Sequence, residues 1–145
     1  MIDAAGIRTA DPADRDAVVA LWRDAGLVRP WNDPLRDYDL ALSSGGSAIL
    51  VALTEERIIG SAMVGFDGHR GWIYYLAVAS AARRRGVARS LMAACEAWLR
   101  ERGAPKLQLM VREDNEEALG FYAALGLEPQ KVVTLGRFLE LEART

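Results

Sequence analysis

The sequence predicts an α+β domain, a mostly antiparallel sheet with one crossover connection, and three observations carry that prediction. Extended apolar runs at Ala48 to Leu53, Ile58 to Phe66 and Trp72 to Val78 are separated only by turn-length segments, as in an antiparallel meander. A helical run, Val87 to Leu99, comes next with Val87, Leu91, Cys95, Trp98 and Leu99 at spacings of three and four, so one of its faces is apolar. Beyond it Leu107, Leu109 and Val111 alternate with Gln108 and Met110, so the chain returns to the sheet after crossing over.

Ile7 to Thr9 is a short extended start. Asp11-Pro12 reads as a helix N-cap with proline at the first helical position, and Val18, Val19, Leu21 and Trp22 give that helix an apolar face that Gly26 ends. A loop holding Arg29-Pro30-Trp31-Asn32-Asp33-Pro34 leads to a second helix, Leu35 to Leu42, with Asp33 as its cap and Ser43-Ser44-Gly45-Gly46 as its end. Glu55-Glu56 turns the first hairpin and Asp67-Gly68-His69-Arg70-Gly71 the second. After the central helix, which Arg102-Gly103 closes, Asp114 or Asn115 caps a helix running to about Leu125 and stopped by Gly126. Val132 to Leu141 is expected as a last strand, with a bulge at Gly136.

At 145 residues, with 51% hydrophobic and 26% charged residues, the chain has the size and composition of one ordinary domain, expected over 1–145. A net charge of -2 gives no general electrostatic case for nucleic acid or an anionic membrane. Cys95, the only cysteine, excludes an internal disulfide and a cysteine-based zinc cluster, and its place in an apolar stripe reads as an inert thiol. No apolar run approaches the roughly 20 residues that span a bilayer. The first residues lack the layout of a signal peptide, so a cytoplasmic location is expected. With one histidine, His69, a metal site would rest almost wholly on carboxylates, and none is expected.

Arg83-Arg84-Arg85-Gly86-Val87-Ala88 is the stretch richest in chemistry, because an apolar strand runs into it and an amphipathic helix runs out. A helix start leaves backbone N–H groups unpartnered and carries partial positive charge, and Gly86 lets an anion approach the main chain. The bland alternative is a solvated basic turn. The run resembles the Gln/Arg-x-x-Gly-x-Gly/Ala pattern of the GCN5-related N-acetyltransferases (GNAT superfamily), with Arg83, Gly86 and Ala88 at the fixed positions. The strand Tyr74-Tyr75-Leu76-Ala77-Val78 and the later Asn115, Tyr122 and Gly126 extend the likeness over nearly the whole chain. Arg-Pro-Trp-Asn-Asp-Pro and Asp-Gly-His-Arg-Gly resemble the bacterial YpeA-type branch. Two departures stand out: Arg84 where the family often has glycine, and Ser80 where proline is frequent.

The resemblance implies the GNAT fold, with helices on both faces of a mixed sheet and a V-shaped split between its fourth and fifth strands that takes acetyl-CoA, the acetyl donor. Backbone N–H groups from about Arg85 to Ser90, through Gly86, Val87, Ala88 and Arg89, are implied to hold the diphosphate, with Arg83, Arg84 and Arg89 adding charge. The strand backbone at Leu76, Ala77 and Val78 is implied to align the pantetheine amides as a neighbouring strand would. Tyr122 matches the family's usual general acid, the phenol that protonates the departing thiolate. Asn115 matches a position that often bonds the cofactor, though its N-cap role explains it equally well, and Ala118 resembles a small residue that permits close cofactor packing.

On the acceptor side the resemblance points to the 29–34 connector, with Arg29 or Arg70 pairing a substrate carboxylate and Trp31 packing on its body; Asn32, His69 and Tyr74 complete the expected substrate-binding set. A rigid loop with Trp31 buried is the alternative. A lysine-like amine, with a reference pKa of about 10.4, needs help to lose its proton. Many members carry an acidic residue near the fourth strand where this chain has Tyr74 and Tyr75, leaving Glu113, Asp114, Asp67 and His69 as candidate bases. The expected function is direct acetyl transfer to a primary amine of a small molecule, amino acid or peptide, with a non-catalytic acyl-CoA sensor or interaction protein as the alternative. A homodimer is expected only from the prevalence of dimers among small enzymes.

Overall fold

The computed structural model describes residues 6–140, which fall into two compact units divided between Leu109 and Met110. In the first unit β1 (Ile7–Thr9) leads to a capping box: the Asp11 carboxylate accepts the Ala13 N–H, and the Asp14 carboxylate accepts the Asp11 N–H, both at 2.9 Å. A 3₁₀ turn, Pro12–Asp14, then passes into α1 (Arg15–Asp24), in place of the single continuous helix that the sequence suggests. Asp33 caps α2 (Pro34–Ser43) through its Oδ1, which accepts the N–H groups of Leu35 and Arg36 at 3.1 and 3.3 Å.

Next come β2 (Ser47–Thr54), β3 (Arg57–Phe66), β4 (Gly71–Val78), the crossover helix α3 (Val87–Glu101) and β5 (Leu107–Leu109). The sheet order is β1-β2-β3-β4-β5, antiparallel except for the β4–β5 pair, which the crossover makes parallel. The turn at Glu55 and Glu56 has φ of 51° and 65°, the left-handed pair that suits a two-residue hairpin.

Adjacent residues of β3 show that helices cover both faces. Ser61 accepts a hydrogen bond from the Trp22 indole of α1 at 3.0 Å, whereas a Cβ at neighbouring Gly60 would lie 2.8 Å from Val87 of α3. On the first face Trp22, Val18, Tyr38, Ile49 and Val51 form a buried cluster; Val87, Leu91 and Cys95 line the buried side of α3. Gly71 admits Leu99, whose Cδ atoms would lie 2.6 Å from any Cβ there.

Two features of β4 shape its edge. Its register against β3 moves from Ala77 opposite Ser61 to Tyr74 opposite Met63, so β4 holds one extra residue, and Tyr75 within that bulge has φ 54°. Its pairing with β5 is confined to Gly71, Trp72 and Ile73 against Leu107, Gln108 and Leu109, after which β4 continues from Tyr74 to Val78 without that neighbour. β4 thus outruns β5 at the junction where the split between the fourth and fifth strands is expected.

The second unit contains α4 (Glu116–Ala124), capped by Asn115 rather than Asp114. Gly126, at φ 89°, ends it while the Leu127 N–H returns to the Tyr122 carbonyl at 3.0 Å. Two strand expectations fail. The strand after α3 stops at Leu109 and excludes Val111. Residues 132–140 form no strand, and Val133, Leu135 and Leu139 stand in solvent; Leu141 lies outside the described residues. Val133, Leu135 and Leu139 do fall on one face of an extended chain, with Arg137 between them, but a period-2 stripe makes a strand only where a sheet edge pairs with it, and among the described residues none does.

Candidate active site

The turn after β4 is built around two left-handed residues. Arg83 is extended, Arg84 has φ 65°, and Gly86, at φ 80°, is the N-cap of α3, with no side chain capping the helix. The first helical hydrogen bond runs from the Ser90 N–H to the Gly86 carbonyl at 3.0 Å. The N–H groups of Val87, Ala88 and Arg89 therefore precede the helical ladder and point from a positive helix end. The Ser90 N–H, expected in this set, is spent within the helix. Val87 buries its side chain against Gly60, which anchors the turn while its amide stays at the helix start. Arg83, Arg84, Arg85 and Arg89 are all exposed around it, and the first turn of α3 carries no acidic residue. The arrangement suits a phosphate.

The open edge of β4 has a definite polarity. The Ala79 N–H bonds the Ile59 carbonyl of the β3 side at 2.8 Å, so by strand alternation the main chain of Ala77 also turns to β3 and that of Leu76 and Val78 turns outward. Ala77 is also 3% exposed, with its methyl in the α1 cluster. Of the three residues expected along the pantetheine, Leu76 and Val78 thus turn their backbone away from β3, to an edge that no strand pairs among the described residues, and Ala77 does not.

On the α1 face, Tyr74 and Trp31 are each about two-fifths exposed, so Trp31 is not the buried loop residue of the alternative reading. Arg29 donates to the Gly26 carbonyl at 2.9 Å, tying the connector to the end of α1. Asn32 lies within hydrogen-bonding reach of the Tyr75 hydroxyl, so the connector meets β4 there. In the second hairpin turn Asp67 accepts from the Arg70 and His69 N–H groups at 2.7 and 2.8 Å and from the Trp72 indole at 3.3 Å. Those backbone bonds, Arg70 first, hold the Asp67 carboxyl below its ordinary pKa, which makes it a turn former and a poor base. Arg70 lies over His69, donating to its carbonyl at 3.1 Å.

Sequence reasoning missed Asp37 and the role of Tyr75. The Tyr75 hydroxyl donates to Asp37 Oδ2 at 2.6 Å, and its ring stacks on Trp22. Burial first, then the Asp37 carboxylate, pushes the Tyr75 phenol well above its usual pKa, so it stays protonated and donating. The consecutive tyrosines at 74 and 75 are a signal of a broken alternation; nothing in the sequence pairs Tyr75 with a residue of α2.

In the second unit, Tyr122 is half-buried on α4, its ring edge-on to Phe121 at 5.1 Å. Asn115 uses its Oδ1 to cap α4 through the Ala118 N–H at 3.1 Å. Cys95 is fully buried and its thiol is pushed up to about 12 by desolvation, so it is inert as expected. Among the described residues no group of three or more histidine, cysteine or acidic side chains is placed to hold a metal, and no helix is long and apolar enough to cross a membrane.

Comparison with known proteins gives the family. Residues 16–127 match the acetyltransferase (GNAT) family model. An acetyltransferase of Pectobacterium atrosepticum is 45% identical over 126 residues, covering 87% of this chain and 89% of that protein. One of Yersinia enterocolitica is 44% identical over 133 residues, covering 92% and 94%. Among solved structures, AAC(6')-Iy in complex with the bisubstrate analogue CoA-S-monomethyl-acetylneamine superposes with a TM-score of 0.79 at 21% identity, over 91% of this chain and 96% of that one. At that identity it speaks for the fold, and the family match and the two bacterial relatives speak for descent: the chain belongs to the acetyltransferase (GNAT) family.

Proposed function

We propose that this protein is an acetyl-CoA-dependent N-acetyltransferase that passes the acetyl group directly to a primary amine, without a covalent acyl-enzyme. The observation that carries the reading is the anion-ready start of α3, placed immediately after a strand that β5 pairs only as far as Ile73, so that among the described residues no strand pairs with its outer edge from Tyr74 to Val78. Such a pair suits a ligand with a diphosphate and an amide-bearing arm: the Val87, Ala88 and Arg89 amides for the first, and the Leu76 and Val78 main chain for the second. The exposed arginines of the turn add charge for a further phosphate. A solved protein of similar fold was captured with a CoA-linked analogue, which is consistent with this assignment.

For the chemistry, Tyr122 is assigned as the general acid that protonates the thiolate as the C–S bond breaks. Cys95, buried and with its pKa raised, is unsuited to carry an acyl group, which favours direct transfer. The acceptor is placed on the side of β4 that bears Tyr74, near Trp31, Asn32 and the His69-Arg70 turn.

Thiol release from acetyl-CoA, followed across a panel of small amines, amino acids and peptides with a no-acceptor control, tests the reading. Acceptor-dependent release is expected. Silence across the panel, with acetyl-CoA binding confirmed in the same sample, would favour the acyl-CoA sensor instead.

A further inference from the structure

The face of β4 that carries Tyr74 has no carboxylate of its own in that strand, yet one reaches it from α2. Asp37 Oδ2 accepts the Tyr75 hydroxyl at 2.6 Å, and Asp37 is partly exposed. Tyr75 holds this position from a left-handed backbone conformation, φ 54°, which a bulky residue adopts rarely and keeps only where its surroundings fix it. The fixing contacts are visible: the ring lies on Trp22, and Asn32 is within hydrogen-bonding reach of the hydroxyl. The bulge thus spends backbone strain to bring a phenol to one particular carboxylate.

Neighbouring acidic side chains on α2 are engaged otherwise. Asp33 caps the helix, and Asp39 pairs with Arg15 at 3.1 Å. Asp37 is bonded instead to a neutral phenol, which orients one oxygen, and a carboxylate has lone pairs enough to accept a further donor beside it. We propose that Asp37 receives the ammonium group of a basic alkylamine acceptor and takes its proton, with Tyr75 as the positioning residue that holds the carboxylate. This inference rests on the transferase reading above. One N–H bond of the ammonium breaks, its proton forms an O–H bond on Asp37, and the freed electron pair on nitrogen attacks the thioester carbonyl. The amine's second proton balances the one given to the departing thiolate, and Asp37 returns its proton to water.

A matched pair of nucleophiles tests this at neutral pH: an alkylamine shown to be an acceptor by the panel, and its alkoxyamine counterpart, which is already neutral and needs no base. 2-Phenylethylamine and O-benzylhydroxylamine are one such pair. Asp37→Asn is expected to lower kcat/KM for the alkylamine by about 100-fold, the lower end of general-base contributions, and for the alkoxyamine by less than about fivefold. KM for acetyl-CoA stays unchanged. Should Asp37→Asn fail to fold, Tyr75→Phe decides: it keeps the ring and is expected to cost about tenfold toward the alkylamine, chiefly in acceptor KM, with little loss toward the alkoxyamine. Equal losses toward both nucleophiles, or none, overturn the assignment of Asp37 while leaving the transferase intact. A wild-type protein that releases no thiol with any amine overturns the transferase reading itself.

Discussion

The ring of Tyr75 lies flat on the indole of Trp22, with centroids 3.9 Å apart and 9° between the planes, so the bulge of β4 is backed by the hydrophobic core. That indole is fully buried and spends its only N–H on the equally buried Ser61 hydroxyl.

Trp22→Phe is therefore expected to destabilise the protein by about 2–4 kcal/mol, through lost packing and a hydroxyl deprived of its donor. Ser61→Ala orphans the indole N–H and is expected to cost about 1–3 kcal/mol. The double variant should cost less than the sum, because the second change removes a group already without its partner. Urea unfolding of the four proteins measures this, and strict additivity would show that the bond contributes nothing of its own.

Acid should act on the first unit through Asp14. Its carboxylate takes both terminal nitrogens of Arg8, at 2.7 and 2.9 Å, and the Asp11 N–H, and Arg8 first among these holds its pKa below the ordinary 3.8. The folded state thus binds this proton less readily than the unfolded chain, so the stabilisation is complete above the ordinary value and is lost as pH falls through the lowered one. Arg8→Ala is expected to cost about 0.5–1 kcal/mol at pH 7, as for a partly exposed pair, and nothing once Asp14 is protonated. Denaturation at pH 7 and near pH 2 compares the two; a difference that persists in acid would locate the effect in packing instead.

Much of the fold is legible in the sequence because its signals are local. Caps at Asp11 and Asp33, stops at Gly26, Gly103 and Gly126, and the apolar stripe of α3 each report one element's own backbone, and each stands in the structure where the sequence puts it. The turn proposed to hold phosphate is legible for the same reason: strand, glycine and helix start are contiguous. The features that escape a sequence reading depend on partners distant along the chain. Residues 132–140 hold apolar side chains without a sheet position, and no local pattern says whether an edge awaits them. The Tyr75–Asp37 bond joins residues 38 apart, and the bulge that makes it possible is a register fact between β3 and β4.

Gly86→Val tests the phosphate turn most directly. A β-branched residue at φ 80° is a steric outlier, so the N-cap must shift and the amides of Val87, Ala88 and Arg89 lose their common aim. Acetyl-CoA affinity is expected to fall at least about tenfold, the worth of one charge-assisted hydrogen bond, in a protein whose circular dichroism is unchanged. Calorimetric titration reads the affinity. Intact binding in the folded variant would remove the main support for the cradle.

Arg84→Gly separates backbone from side chain at the same turn. Arginine at φ 65° carries roughly 1 kcal/mol of left-handed strain that glycine lacks, offset in part by the entropy glycine adds to the unfolded chain. Stability should hold or rise by about 0.5 kcal/mol, and acetyl-CoA affinity should fall no more than about threefold if backbone amides dominate and the exposed guanidinium adds only a screened surface charge. A loss as large as that of Gly86→Val would instead assign the binding to the arginine.

Tyr122→Phe probes the chemical step rather than binding. The variant keeps the ring that meets Phe121 edge-on and removes only the proton donor, so α4 and its cap at Asn115 are retained. If the phenol protonates the thiolate, kcat is expected to fall by about 100-fold with KM for acetyl-CoA nearly unchanged, the pattern of an interaction made in the transition state alone. The loss should shrink when the donor thioester carries a better leaving group than CoA, because a more acidic thiol departs without help. Turnover unchanged across pH, or an equal loss with both donors, would leave Tyr122 a packing residue.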